Sequence, residues 1–143
     1  MDRGRLLKSV APGAAPFGLA LAATMAAASA MAQGAGDPVA GAEVFKQCAA
    51  CHGLGPNPPA GKAGPALNGI VGRKSAIDTG FNYSPPMRSA RLTWTEPTLA
   101  RFLKAPKALI PGTRMLFNGL AADKDIADVV AFLSQYDENG KGH

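Results

Sequence analysis

Apolar residues recur at helical spacing in three stretches of the chain. Gly41, Val44, Phe45 and Cys48 follow one another at intervals of three and four, which puts them on one helical face. Asp37 stands before that face as a cap, and Pro38 suits the first helical position, where the N–H it lacks would have no intrahelical partner. In the last quarter Ile126, Val129, Val130 and Leu133 mark a second face, flanked by Phe132 and Tyr136; Asp123 is its candidate cap and Gly140 ends the pattern. A third helix is predicted over Glu96–Lys104, capped by Thr95, with Leu99, Phe102 and Leu103 apolar and Ala105-Pro106 as its stop. Glycine inside a helix costs about 1 kcal/mol relative to alanine. Gly41 therefore marks a place where the first and last helices can cross, with chance placement as the plain alternative.

The stretches between these helices are rich in turn formers. Residues 53–65 hold four prolines and four glycines, and 68–73 two more glycines. No internal repeat and no period-two alternation is found. The pattern predicts an all-α domain of three main helices joined by long ordered loops. Loops of that length are unusual in a compact domain unless they rest on something.

The N-terminus reads differently. Arg3, Arg5 and Lys8 face a single Asp2, no charged residue occurs from Val10 to Met31, and the run ends in Ala28-Ser29-Ala30-Met31-Ala32. This is the pattern of a secretory signal peptide over residues 1–32, with cleavage after Ala30 or Ala32, which leaves one domain over 33–143. An uncleaved membrane anchor is the alternative, although Pro12, Gly13 and Pro16 make a poor spanning helix.

The full chain has 143 residues and a net charge of +5; removing 1–32 takes three basic residues from 15 and one acidic residue from 10, leaving about +3. The charge is unevenly spread. Arg88, Arg91, Arg101, Lys104, Lys107 and Arg114 share residues 88–114 with only Glu96, whereas 122–138 holds five acids and one lysine. A solvated face and a docking surface for acidic protein partners both fit this run. Export and the absence of a binding motif argue against nucleic acid. Aromatic residues make up only 6% of the chain, so a small core is short of bulky apolar surface.

Cys48-Ala49-Ala50-Cys51-His52 supplies what the core lacks. C-x-x-C-H is the pattern of c-type haem attachment: both thiols bond to porphyrin vinyl groups, and His52 is placed as the proximal iron ligand. A thioredoxin-like redox pair would need a βαβ context, which is not visible. A zinc site would need further ligands, and the other histidine is His143 at the C-terminal end. A pair of buried structural cysteines would leave the adjacent histidine and the export signal without a reason. For the sixth position of the iron, the chain beyond residue 32 offers Met87 and Met115. Met115 is the better candidate, because it follows the rigid turn Ile110-Pro111-Gly112-Thr113-Arg114, whereas Met87 follows Pro85-Pro86 in a turn or a short helix.

From Gly41 to about Tyr136 the chain resembles class I cytochrome c of the soluble mitochondrial and bacterial periplasmic type. Gly64-Pro65-Ala66-Leu67-Asn68-Gly69-Ile70-Val71-Gly72-Arg73-Lys74, Phe81-Asn82-Tyr83-Ser84 and Pro111-Gly112-Thr113-Arg114-Met115 resemble three further segments of that family in order. The resemblance implies the cytochrome c fold around one covalently bound haem c. It implies that the Pro65 carbonyl accepts a hydrogen bond from His52, that Tyr83, Trp94 and Arg73 lie around the haem propionates, and that Gly41 and Phe45 meet Val129 and Phe132. It also implies Phe117 beside an exposed haem edge where redox partners dock. Three positions depart from the family pattern. Phe102 stands where a tyrosine is usual, Met87 where an asparagine is common, and Arg114 where a lysine is usual; the loop from His52 to Pro65, with Pro56-Asn57-Pro58-Pro59, is one residue longer.

With both axial positions filled, the iron is left with one-electron exchange, and a neutral thioether favours the ferrous form. The function expected is that of a monomeric electron carrier in the periplasm, not an enzyme. It would shuttle between a reductase and an oxidase or reaction centre through the basic haem-edge face. A haem enzyme or gas sensor would differ in leaving the sixth position open, and a tethered carrier in keeping residues 1–32.

Overall fold

The computed structural model describes residues 35–58 and 63–143; the expected signal peptide and Pro59 of the longer loop lie outside the described residues. Among the described residues five helices follow in order: α1 Pro38–Phe45, α2 Pro85–Ala90, α3 Glu96–Lys104, α4 Pro106–Leu109 and α5 Asp123–Ser134. No strand occurs among the described residues, only isolated antiparallel bridges at Lys74–Thr93 and Tyr136–Gly142. The all-α expectation holds.

Local chemistry accounts for most helix ends. The Asp37 carboxylate accepts from the N–H groups of Val39 and Ala40 at the start of α1, and the Thr95 hydroxyl accepts from the Thr98 N–H at the start of α3. Ser84 does the same for α2, ahead of Pro85 and Pro86. Two expectations are corrected. Asp123 is the first residue of α5 rather than its cap; Ala122 holds the cap position without a side-chain bond, and the Asp123 carboxylate instead takes the Lys104 ammonium at 2.7 Å. The helix also stops at Ser134, well before Gly140, because the chain turns back on itself, with the Asp137 N–H donating to the Lys141 carbonyl at 3.1 Å. Pro106 ends α3 as expected and then opens α4, a turn that the apolar pattern does not reveal.

The first and last helices cross at Gly41. A methyl built on Gly41 would collide with the Asp128 carbonyl and lie 2.8 Å from Phe132 Cβ, so only a residue without a side chain lets the backbones meet. Beside the crossing, the rings of Phe45 and Phe132 pack with centroids 5.4 Å apart. Asp128, 3% exposed, is a buried carboxylate in the same joint. Its Oδ1 accepts from the Asp37 N–H at 2.8 Å, and its Oδ2 takes the Lys124 ammonium at 2.6 Å. The core continues from Val129, Val130 and Leu133 of α5 to Leu99, Phe102 and Leu103 of α3, and from there to Trp94 and Ile70 in the loops.

Candidate haem site

The backbone turns do not end at Phe45. The Ala49 N–H donates to the Phe45 carbonyl at 3.0 Å and the His52 N–H to the Cys48 carbonyl at 2.9 Å, so the Cys48–His52 stretch winds on from the end of α1 in helix-like turns. Neither cysteine is in a disulfide: Cys48 is half-buried and Cys51 exposed. Burial, and after it the proximity of Cys51, pushes the Cys48 thiol above its ordinary range.

His52 is fixed from two directions. Its Nδ1 lies 2.7 Å from the Pro65 carbonyl oxygen. A carbonyl can only accept, so Nδ1 carries the proton and the basic lone pair of the ring sits on Nε2. Gly64 packs against the ring itself: a methyl there would fall 2.5 Å from Cε1 and 2.7 Å from Nδ1. The glycine of the Gly-Pro pair therefore makes room for the imidazole, and the proline orients it.

Both cysteines and His52 line a cavity of about 270 Å³. Its walls come from segments far apart in sequence: Pro65, Ile70 and Arg73 from one loop, Phe81 and Tyr83 from the next, Trp94, Leu99 and Phe102 around α3, and Met115 and Phe117 from the segment after α4. All eight residues that the sequence assigns to the site, Cys48, Cys51, His52, Pro65, Arg73, Tyr83, Trp94 and Met115, meet at this one cavity. Met87, the rival thioether, lines it as well.

The polar wall is assembled by the backbone. The Gly72 N–H donates to the Trp94 carbonyl and the Trp94 N–H to the Arg73 carbonyl, each at 2.8 Å, which brings the two segments side by side. The Arg73 guanidinium donates to the carbonyls of Asn68 and Ala66, both at 2.8 Å. Burial lowers its affinity for the proton, with Tyr83, Asp78 and Glu138 opposing that shift. The Tyr83 hydroxyl is pushed above its ordinary range by burial, and the cation of Arg73 opposes it. A largely apolar pocket thus carries a cation and a phenol that act on each other, and Lys74 and Arg114 line it as well.

This donor set fits a porphyrin bearing carboxylates: two thiols and an imidazole on one consecutive stretch, a thioether, an apolar interior, and a guanidinium with a phenol where acid groups would need partners. Sequence reasoning did not single out the Gly64 contact, the buried Asn68 or the carboxylate of Asp128. Only the Gly-Pro pair carried a signal, and that signal pointed to the proline. Lys104, which the charge pattern grouped with the docking face, is committed elsewhere: its ammonium donates to the Ala121 carbonyl and to Asp123, both at 2.7 Å.

Comparison with known proteins places the chain among relatives of one family. The family model described as Cytochrome c matches residues 38–137. A cytochrome c2 of Rhodomicrobium vannielii is 52% identical over 106 residues, covering 74% of this chain and 84% of the relative. A cytochrome c-554 of Methylosinus trichosporium is 46% identical over 123 residues, covering 86% and 92%. Among solved structures, cytochrome cH from Methylobacterium extorquens superposes with a TM-score of 0.64 at 35% identity, covering 68% of this chain and 97% of that one.

Proposed function

The chain belongs to the cytochrome c family and carries single electrons on a covalent haem c, and from that premise we propose that His52 and Met115 are its two axial ligands. The observation that carries this reading is the convergence of Cys48, Cys51, His52 and Met115 on one cavity, with the His52 ring already oriented by Pro65. When bound, the haem supplies one-electron exchange between ferric and ferrous iron.

The protein's own residues set the terms of that exchange. The Pro65 carbonyl holds the His52 proton on Nδ1 and strengthens Nε2 as a donor. Leu99, Phe102, Val129 and Leu133 exclude water from the interior, which limits rearrangement between the two charge states. Arg73 and Tyr83 offer a cation and a hydroxyl to buried carboxylates, and Trp94 closes the same wall.

Residues 1–32 act as a secretory signal removed after Ala30 or Ala32, and the mature domain, 33–143, works as a monomer in the periplasm. The family membership and the basic leader with its A-x-A sites support this reading. Among the described residues no helix is long and apolar enough to cross a membrane. The partners are redox complexes that reduce and oxidise the carrier at a basic face. The basic residues offered for that face, Arg101, Lys107 and Arg114, are exposed, as is Leu116 at 96%, and Phe117 is half-buried. Charge on such a rim guides encounter more than it lengthens residence.

The test of the ligand set is the absorption spectrum of the mature protein beside Met115→Ala and Met87→Leu variants. The weak sulfur-to-iron charge-transfer band is expected in the parent, retained in Met87→Leu and lost in Met115→Ala. A parent without the band that binds carbon monoxide readily would overturn Met115 ligation and leave the iron open.

A further inference from the structure

The segment that leaves His52 and the segment that holds Pro65 are tied together by three rungs. The Gly64 N–H donates to the Cys51 carbonyl at 2.9 Å, and the Leu67 N–H donates to the Gly53 carbonyl at 2.9 Å. The third rung is different in kind. The Asn68 side chain bonds both backbone groups of Gly55: its Oδ1 accepts from the Gly55 N–H at 3.0 Å, and its Nδ2 donates to the Gly55 carbonyl at 2.9 Å. These rungs bracket the 2.7 Å contact between His52 Nδ1 and the Pro65 oxygen, which lies between the first and the second.

The outer rung is sealed rather than exposed. Asn68 is 8% exposed. The C-terminal turn covers it: a methyl on Gly140 would collide with the Gly55 carbonyl and lie 2.7 Å from Asn68 Nδ2. The Gly69 N–H donates to the Tyr136 carbonyl at 3.2 Å, which anchors the same turn to the residue after Asn68. On its other side the Asn68 carbonyl accepts from Arg73 at 2.8 Å. A carboxamide is the group this place needs, because one donor and one acceptor in a plane match the N–H and C=O of a single residue.

We propose that Asn68 is a positioning residue for the proximal ligand: by pinning Gly55 to the Pro65 segment it holds the His52 Nδ1–H on the Pro65 carbonyl, and so tunes the reduction potential. This rests on the reading of His52 as an iron ligand. A ring that donates strongly from Nδ1 gives more electron density through Nε2 and favours the ferric form. Loosening the rung weakens that bond and raises the potential.

The experiment uses the intact haem-loaded protein and two variants, Asn68→Leu, which removes both bonds at similar size, and Asn68→Asp, which keeps the acceptor for the Gly55 N–H. Proton NMR follows exchange of the His52 ring N–H at neutral pH, with α1 and α5 amides as the internal standard, and voltammetry reads the potential. In Asn68→Leu the ring proton is expected to exchange about tenfold faster, the effect of one buried hydrogen bond, while the helix amides change less. The potential is expected to rise in Asn68→Leu; in Asn68→Asp the added negative charge itself favours the ferric form, so that variant is read by ring-proton exchange, expected between the parent and Asn68→Leu. If ring-proton exchange matches the parent in both variants and the potential of Asn68→Leu is unchanged, or exchange rises only in step with the helix amides, Asn68 has no role beyond stability and the proposal is overturned. Should Asn68→Leu fail to fold, Asn68→Asp alone decides by ring-proton exchange against the helix amides. A parent whose His52 ring protons show no displacement by the iron would instead refute ligation by His52, a failure visible before any variant is made.

Discussion

The crossing of α1 and α5 and the wall of the haem cavity are two ways of burying the same kind of residue. At the crossing, protein meets protein: Gly41 admits the Asp128 backbone, Phe45 meets Phe132, and the Asp128 carboxylate ties the start of α1 to α5. At the cavity, Ile70, Trp94, Phe102 and Leu103 face a space of about 270 Å³ that the chain does not fill. One region closes on itself, and the other is complete only around a guest. Burial alone therefore does not reveal which apolar residues belong to a core and which to a binding site; the partner across the contact does.

The largest effect that would break this contrast is Gly41→Val. Its side chain would have to occupy the place of the Asp128 carbonyl and Phe132 Cβ, so the helices must separate. A loss of about 3 kcal/mol or more is expected from overpacking a site with no room to relax, measured by denaturant unfolding of the haem protein. Gly64→Ala makes the matching change on the cavity side. Its methyl would meet a ring, which can tilt, rather than a backbone, which cannot. About 2 kcal/mol is expected to be lost, together with a change in the absorption spectrum that Gly41→Val does not share once its lower stability is allowed for. Equal spectral changes in the two variants would dissolve the distinction between crossing and cavity.

A subtler probe uses pH. The Lys124 ammonium, and after it the Asp37 N–H, hold the Asp128 carboxyl below its ordinary value of 3.8. A depressed carboxyl contributes stability that is present in full above that value and is lost as pH falls through the lower value of the folded state. The α1–α5 joint should accordingly weaken in acid, and Asp128→Asn should flatten the acid limb of the stability profile without altering the haem spectrum at neutral pH. An acid limb of unchanged slope in Asp128→Asn would remove the carboxylate from the account. The smallest effect is expected for Lys104→Met. Its pair with Asp123 is exposed, so the loss should be about 0.5 kcal/mol, and the salt dependence of electron transfer to a purified partner should barely change. Charge reversal at Arg101 and Lys107 should change it strongly.

Reading the helices from sequence succeeded where side chain and backbone interact locally. Asp37 and Thr95 cap their helices as their chemistry predicts, and Pro106 stops α3. It failed where a distant group competed. Asp123 has the chemistry of a cap, but Lys104, nineteen residues earlier, draws its carboxylate away. The motif C-x-x-C-H was legible because haem attachment constrains residue type and spacing together; the choice of Met115 over Met87 is left to the spectrum. Asn68 gave no such signal: an asparagine beside a glycine in a turn-rich segment reads as a turn, and only folding brings Gly55 within reach of both ends of its carboxamide. Asp128 was equally silent, counted with four other acids on a charged stretch although it is buried.

The sequence by itself determined the helical class, the C-x-x-C-H motif and the family, because helical periodicity, capping and the spacing of such a motif are relations between residues a few positions apart. Tertiary structure alone decided which tautomer His52 holds, which carboxylate is buried, which lysine pairs with Asp123, and which asparagine grips Gly55. Each of those depends on a contact between groups more than ten residues apart, and the rotations that bring such groups together accumulate over every intervening residue. Nothing in the local pattern encodes their sum.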